Sequence, residues 1–165
     1  MFGKIKQYNA NNANSMRMSQ INDKEVVYPE LSYKICGLCF SVHNKLGRYR
    51  NEKQYGDALE ALLKENNIAY GREMPLPPSF EGEKERRNIV DFLIDDKIVV
   101  ELKAKDFVLK DDYYQTVRYL VSFNKKLGII FNFRQKFLRP KRILNSKIDI
   151  AWFAWLTLFA SLAYH

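Results

Sequence analysis

Two short apolar runs, Val90 to Ile94 and Ile98 to Leu102, are divided by Asp95-Asp96-Lys97. Runs of this length, rich in β-branched residues and separated by an acidic turn, read as two paired strands. The first carries a carboxylate, Asp91, near its start, and the second ends in Glu101-Leu102-Lys103. Strand side chains alternate, so Glu101 and Lys103 occupy one face. The length of the connection decides where Asp91 lies. A two-residue turn over Asp95-Asp96 would set Ile94 against Lys97 and send Asp91 to the opposite face. A three-residue connection pairs Ile94 with Ile98 and sets Asp91 directly across from Glu101; a longer odd-numbered loop or a bulge has the same effect. The expectation is that Asp91, Glu101 and Lys103 share one face.

The rest of the chain supplies what such a hairpin needs as cover. Leu31, Ile35, Leu38, Cys39, Val42 and Leu46 recur at helical spacing after Pro29 and stop at Gly47. Tyr55, Leu59, Leu62 and Leu63 mark a second helix that ends at Asn66-Asn67, with Glu52 in its favourably polarised first turn. Ile68 to Met74 reads as a strand, and Pro75-Leu76-Pro77-Pro78 cannot continue within a sheet interior. Asp111 to Phe123 is a third helix with Tyr113, Val117, Leu120 and Val121 as its expected inner face, and Leu127 to Phe133 is a buried strand. The order helix, helix, strand, hairpin, helix, strand describes an α/β domain over residues 26–145, its sheet covered by helices. Residues 1–25, rich in Asn, read as a disordered arm, and residues 146–165 as an apolar C-terminal tail. The tail's 15-residue, mainly apolar run, Ile150 to Tyr164, falls short of the ~20 a spanning helix needs. It reads as a docked helix or an oligomer contact, with an interfacial membrane anchor as the lesser alternative, and no integral membrane insertion is expected.

The charged residues suggest a chemistry. A hard divalent ion takes oxygen ligands, usually one or two carboxylates plus water. Asp91 and Glu101 can supply them, and Glu52 can reach the ion directly or through water. Such an ion, Mg2+ or Mn2+, activates a bound water and polarises a phosphoryl oxygen. The Lys103 ammonium would position the water and offset the charge that builds on the phosphate. Lys and Arg outnumber Asp and Glu by 27 to 19, a net charge of +8, which suits a polyanionic partner. Arg134, Lys136, Arg139, Lys141 and Arg142, interleaved with Phe133 and Phe137, read as a surface for backbone phosphates. Cys36 and Cys39 read as core thiols in a reducing, cytoplasmic compartment, and His43, near a helix end, as a structural residue. On spacing alone, the Asp-to-Glu-x-Lys pattern is weak, and a solvated strand with an exposed ion pair is the better reading.

A longer run of motifs changes that balance. It comprises Val42-His43-x-x-Leu46-Gly47, Glu52-x-x-Tyr55-x-x-Ala58-Leu59, Pro75-Leu76-Pro77, Val90 to Ile94, Val99 to Ala104, Gln115-x-x-x-Tyr119-Leu120 and Leu127 to Phe133. From about Leu31 to Leu144 the chain resembles the GxxExxR family, a branch of the PD-(D/E)XK nuclease superfamily. Val90 stands where the superfamily's name has proline, and Arg48-Tyr49-Arg50-Asn51 stands where a glycine-rich turn is common. The resemblance implies a restriction-endonuclease-like core, a central mixed β-sheet flanked by helices. It also implies metal ligation by Asp91 and Glu101, Lys103 as the catalytic lysine, Glu52 as the acidic residue of the first core helix, and Gln115 near the site. The implied activity is divalent-metal-dependent hydrolysis of nucleic acid, with DNA favoured over RNA. Two alternatives remain open at this point: a catalytically inactive nucleic-acid-binding or adaptor protein on the same fold, and a protein that homo-oligomerises through its C-terminal apolar segment.

Overall fold

The first two helices are punctuated by the residues at their ends. The computed structural model describes residues 26–78, 80–84, 86 and 88–146. Helix α1 spans Pro29–Leu46, with the proline where its missing N–H costs nothing. Gly47, at φ +68°, ends it and returns its N–H to the His43 carbonyl at 2.9 Å. Helix α2 spans Glu52–Glu65. Asn51 caps it, accepting from the Gln54 N–H at 2.9 Å, while the Gln54 side chain accepts from the Asn51 N–H at 3.1 Å. Tyr55 locks the two helices together. Its hydroxyl donates to the Gly47 carbonyl at 2.7 Å and accepts the Arg50 N–H at 3.1 Å.

Five strands follow, interrupted by one helix: β1 (Tyr70–Pro75), β2 (Ile89–Ile94), β3 (Ile98–Lys103), α3 (Lys110–Ser122), β4 (Leu127–Asn132) and β5 (Lys141–Leu144). They form one mixed sheet in the order β1-β2-β3-β4-β5. The β3–β4 pair is parallel, with α3 as its crossover; the other pairs are antiparallel. Pro75 is accommodated because β1 is an edge strand. Helices α1 and α2 cover one face, packing Ile35, Cys39 and Leu59 on Phe92, Val100 and Phe131. Helix α3 covers the other, setting Tyr119 and Leu120 against Val99 and Ile130. Strands β3 and β4 are therefore covered on both sides, which explains their unbroken apolar runs. This is the central mixed sheet flanked by helices that the motif run implies.

The hairpin takes the three-residue connection. Ile94 pairs with Ile98, Leu93 with Val99 and Phe92 with Val100. Asp95 and Asp96 both adopt positive φ, 50° and 52°, a region that Asp tolerates better than most residues.

Three local expectations need correction. Strand β1 begins at Tyr70 rather than Ile68. The expected element order stops one strand short: Lys141–Leu144, within the basic segment, forms the edge strand β5. The inner face of α3 is Asp112, Thr116, Tyr119 and Leu120, while Tyr113 and Val121 are exposed. The apolar pattern misled because two of the buried positions are polar and satisfied locally. Thr116 donates to the Asp112 carbonyl at 2.9 Å, and the Asp112 carboxylate accepts the Leu109 N–H at 2.7 Å. The N-terminal arm and, past Ser146, the apolar tail lie outside the described residues.

Gly128 lets α3 approach β4. A Cβ there would lie 2.7 Å from Thr116 Cγ2 and 3.3 Å from Leu120 Cδ1. We therefore predict that Gly128→Ala destabilises the fold by ~1–3 kcal/mol through overpacking. Adding Thr116→Ser, which removes the clashing methyl and keeps the hydroxyl, should restore at least half of that loss. Urea midpoints of the two variants test this, and an Ala variant as stable as wild type would refute it.

Candidate active site

Strands β2 and β3 each continue for three residues beyond the Phe92–Val100 pair, yet their ladder stops there. Backbone N–H groups left in such a gap must find partners or lose free energy. Here acidic side chains take them. The Asp91 carboxylate accepts the Leu102 N–H at 2.7 Å, and Glu101 Oε1 lies 3.4 Å from the Asp91 N–H. The other oxygen of Glu101 accepts from Lys103 Nζ at 3.1 Å. Asp91, Glu101 and Lys103 thus converge in the fork between the two strands.

Their environment is low in water. Glu101 is 1% exposed, and the Lys103 side chain 14%. Burial, and then the neighbouring Asp91 charge, push the Glu101 carboxyl from 4.5 up to about 7. Burial also raises Asp91, against the lowering effects of the Leu102 N–H and Lys103. For Lys103 burial works against the ammonium, but Glu101 and Asp91 outweigh it and its pKa is raised. The fork therefore holds two carboxylates that resist ionising together and one amine that remains charged.

Glu52 is placed beside this group rather than within it. Its Oε1 accepts the Ala104 N–H at 2.9 Å, one residue past Lys103. It also lines, with Asp91, Gly56 and Leu102, a small cavity of about 170 Å³ on the α2 side of the fork. Among the described residues no group of three or more His, Cys, Asp or Glu gathers as a metal cluster. The donor set at the fork is two carboxylates, which suits a hard cation that keeps most of its water.

Gln115 donates to the Tyr119 hydroxyl at 2.6 Å, and Glu101 is among the charges that act on that hydroxyl. Of the basic residues, Arg134 is brought toward the site, where Nη2 and Nε donate to the Ala104 carbonyl at 3.0 and 3.3 Å. Lys136 and Arg139 are exposed, as is Lys141 on β5. Arg142 turns to the Val27 carbonyl beside α1 instead. His43 meets the Gln135 carbonyl at 3.0 Å.

Asn132 is a contributor that the sequence reading passed over. It is 2% exposed, accepts the Lys105 N–H at 3.2 Å and donates to the Lys105 carbonyl at 2.6 Å. It therefore fixes the segment that follows Lys103. The signal was a lone amide within an apolar strand. Lys105 itself is ion-paired with the buried Asp112 at 2.7 Å.

In chelator-treated protein the folded state retains a Glu101 proton that the unfolded chain releases near 4.5. Stability should then fall as pH rises from 4.5 to about 7, because the folded state binds more protons in that window. Glu101→Gln should flatten this slope and exceed wild type by ~1–3 kcal/mol at pH ~8, at ~1.4 kcal/mol per pKa unit. Urea midpoints at pH ~5 and ~8 test it; a wild-type midpoint that climbs with pH would contradict it.

A family model described as the PD-(D/E)XK nuclease superfamily matches residues 29–143, from the start of α1 into β5. No curated protein matches the chain. Among solved structures, one described as "Crystal structure of SSO0001" is similar at 19% identity, over 96% of this chain and 87% of that one, with a TM-score of 0.45.

Proposed function

Because the chain belongs to the PD-(D/E)XK nuclease superfamily, we propose that it hydrolyses phosphodiester bonds of nucleic acid, DNA by preference, with a divalent ion held by Asp91 and Glu101. Mg2+ or Mn2+ fits the carboxylate donor set, and Glu52 would reach such an ion directly or through water. Within the superfamily the motif run most resembles the GxxExxR branch. The free thiols of Cys36 and Cys39 suit a cytoplasmic protein. Among the described residues no helix is long and apolar enough to cross a membrane.

One observation carries this reading: two carboxylates and an ammonium meet where a strand ladder opens. The bound ion supplies an activated water and a counter-charge for the phosphoryl oxygens. The protein's own groups do the rest. Asp91 and Glu101 are held by the backbone and by Lys103, so they need little reorganisation to present their oxygens. Glu101 and Asp91 favour the Lys103 ammonium, which orients the attacking water and neutralises the phosphate by donating hydrogen bonds. Gln115 supports the Tyr119 hydroxyl behind Glu101.

The test is cleavage of labelled single- and double-stranded DNA and RNA with Mg2+, Mn2+ or chelator. Asp91→Asn keeps an acceptor for the Leu102 N–H while removing the charge. We predict cleavage only with metal, reduced about 100-fold or more in Asp91→Asn and in Lys103→Ala. Cleavage that survives both substitutions would remove this mechanism. Salt-sensitive binding without cleavage in any metal would favour the inactive binding protein instead.

A further inference from the structure

A second cleft, of about 590 Å³, opens beside the fork. Its walls come from the loop between α1 and α2 (Tyr49, Arg50), the first turn of α2 (Glu52, Lys53) and the segments after β3 and β4 (Ala104, Arg134). Ala104 joins it to the fork: it follows Lys103 directly, its N–H is held by Glu52 and its carbonyl by Arg134. The loop is held in place, since the Arg50 N–H is bonded to the buried Tyr55 hydroxyl. Three cationic side chains, Arg50, Lys53 and Arg134, face one carboxylate, Glu52, which is already engaged. The Tyr49 ring is 71% exposed. The Arg134 guanidinium lies 5.7 Å from its centre and the Arg48 guanidinium 5.1 Å, while Arg48 also donates to the Tyr49 hydroxyl at 2.8 Å.

A large exposed aromatic ring among guanidinium groups is poorly explained by packing. It is the arrangement that receives an unstacked base, with cations along the adjoining backbone. Continuous duplex cannot use it, because its bases are stacked on one another. We infer that this cleft is the subsite for the nucleotide adjoining the scissile phosphate, with Tyr49 as the stacking platform and Arg50, Lys53 and Arg134 as the phosphate contacts. The substrate class is then nucleic acid with unpaired nucleotides at the cut: single strands, overhangs or flaps. As a statement about substrate this rests on the nuclease reading above, but the binding can be measured without cleavage.

The experiment is fluorescence anisotropy of the full chain, in chelator, with one labelled sequence presented as single strand, overhang and blunt duplex. Wild type should prefer the unpaired forms. Tyr49→Ala should reduce the ratio of single-strand to blunt-duplex affinity about tenfold, and Tyr49→Trp should retain it. Arg50→Ala and Lys53→Ala should weaken binding to every form and each reduce the salt slope by about one. An unchanged ratio in Tyr49→Ala, with an unchanged thermal midpoint, overturns the subsite, as does a wild-type preference for blunt duplex. A separate cleavage assay distinguishes the two readings. Metal-dependent cutting with no Tyr49 effect sinks the subsite alone. Tyr49-dependent binding to unpaired strands without cutting sinks the nuclease reading and leaves the subsite in place.

Discussion

The termination of the β2–β3 ladder after Phe92 and Val100 is the constraint on which the rest of this molecule turns. A strand pair that opens inside a covered sheet exposes backbone donors where water is scarce, and such donors cost free energy unless something accepts them. Asp91 accepts from Leu102, and Glu101 approaches the Asp91 N–H. The carboxylates therefore close the gap structurally while occupying it chemically. Neutral side chains could satisfy the same donors without burying charge. The presence of acids, with carboxyl groups displaced upward by burial, is a local sacrifice of stability, and such sacrifices concentrate where chemistry is done.

The surrounding elements keep that arrangement from collapsing. Pairing with β4 continues to the end of β3, where Lys103 lies opposite Asn132. Asn132 then holds the backbone of Lys105 on both sides, and Lys105 is anchored to α3 through Asp112. Gly128 lets α3 pack closely enough for Tyr119 and Leu120 to cover Ile130. On the opposite face, the stacked rings of Tyr55 and Phe133, 4.2 Å apart, join α2 to the segment after β4. The amine and the acids thus stand on backbone that is restrained from above and below.

Much of the hairpin was legible in the sequence because side-chain parity along a strand is strict. Any odd-numbered connection after Ile94 sets Asp91 on the side of Glu101, and the three residues Asp95-Asp96-Lys97 are the shortest that do so. The helix ends at Pro29, Gly47 and Asn66-Asn67 were legible for the same local reasons. What was not legible depended on partners far away in the chain. The phase of α3 is set by Gly128 and by the Asp112 pair with Lys105, which admit polar residues to a buried face. Strand β5 carries Lys141 and Arg142 on an edge, where charge is no obstacle to pairing and hides the strand from an apolar pattern. The role of Glu52 at the Ala104 N–H joins residues 52 positions apart, which no spacing rule reaches.

The topology also explains why the site lies at this end of the sheet. Strand β3 has an antiparallel neighbour, β2, on one side and a parallel neighbour, β4, on the other. Toward its carboxyl end the antiparallel partner stops pairing while the parallel partner stays, so the strand is held along one edge and open along the other. The turns after β3 and β4 emerge together there, beside the end of α1 and the start of α2, and carry Ala104 and Arg134 to one cleft. Ligands of open α/β sheets gather at the carboxyl ends of parallel strands because diverging loops leave a crevice there. In this chain β2 leaves the ladder before β3 ends, and the gap beside the parallel pair is filled by Asp91, Glu101 and Lys103.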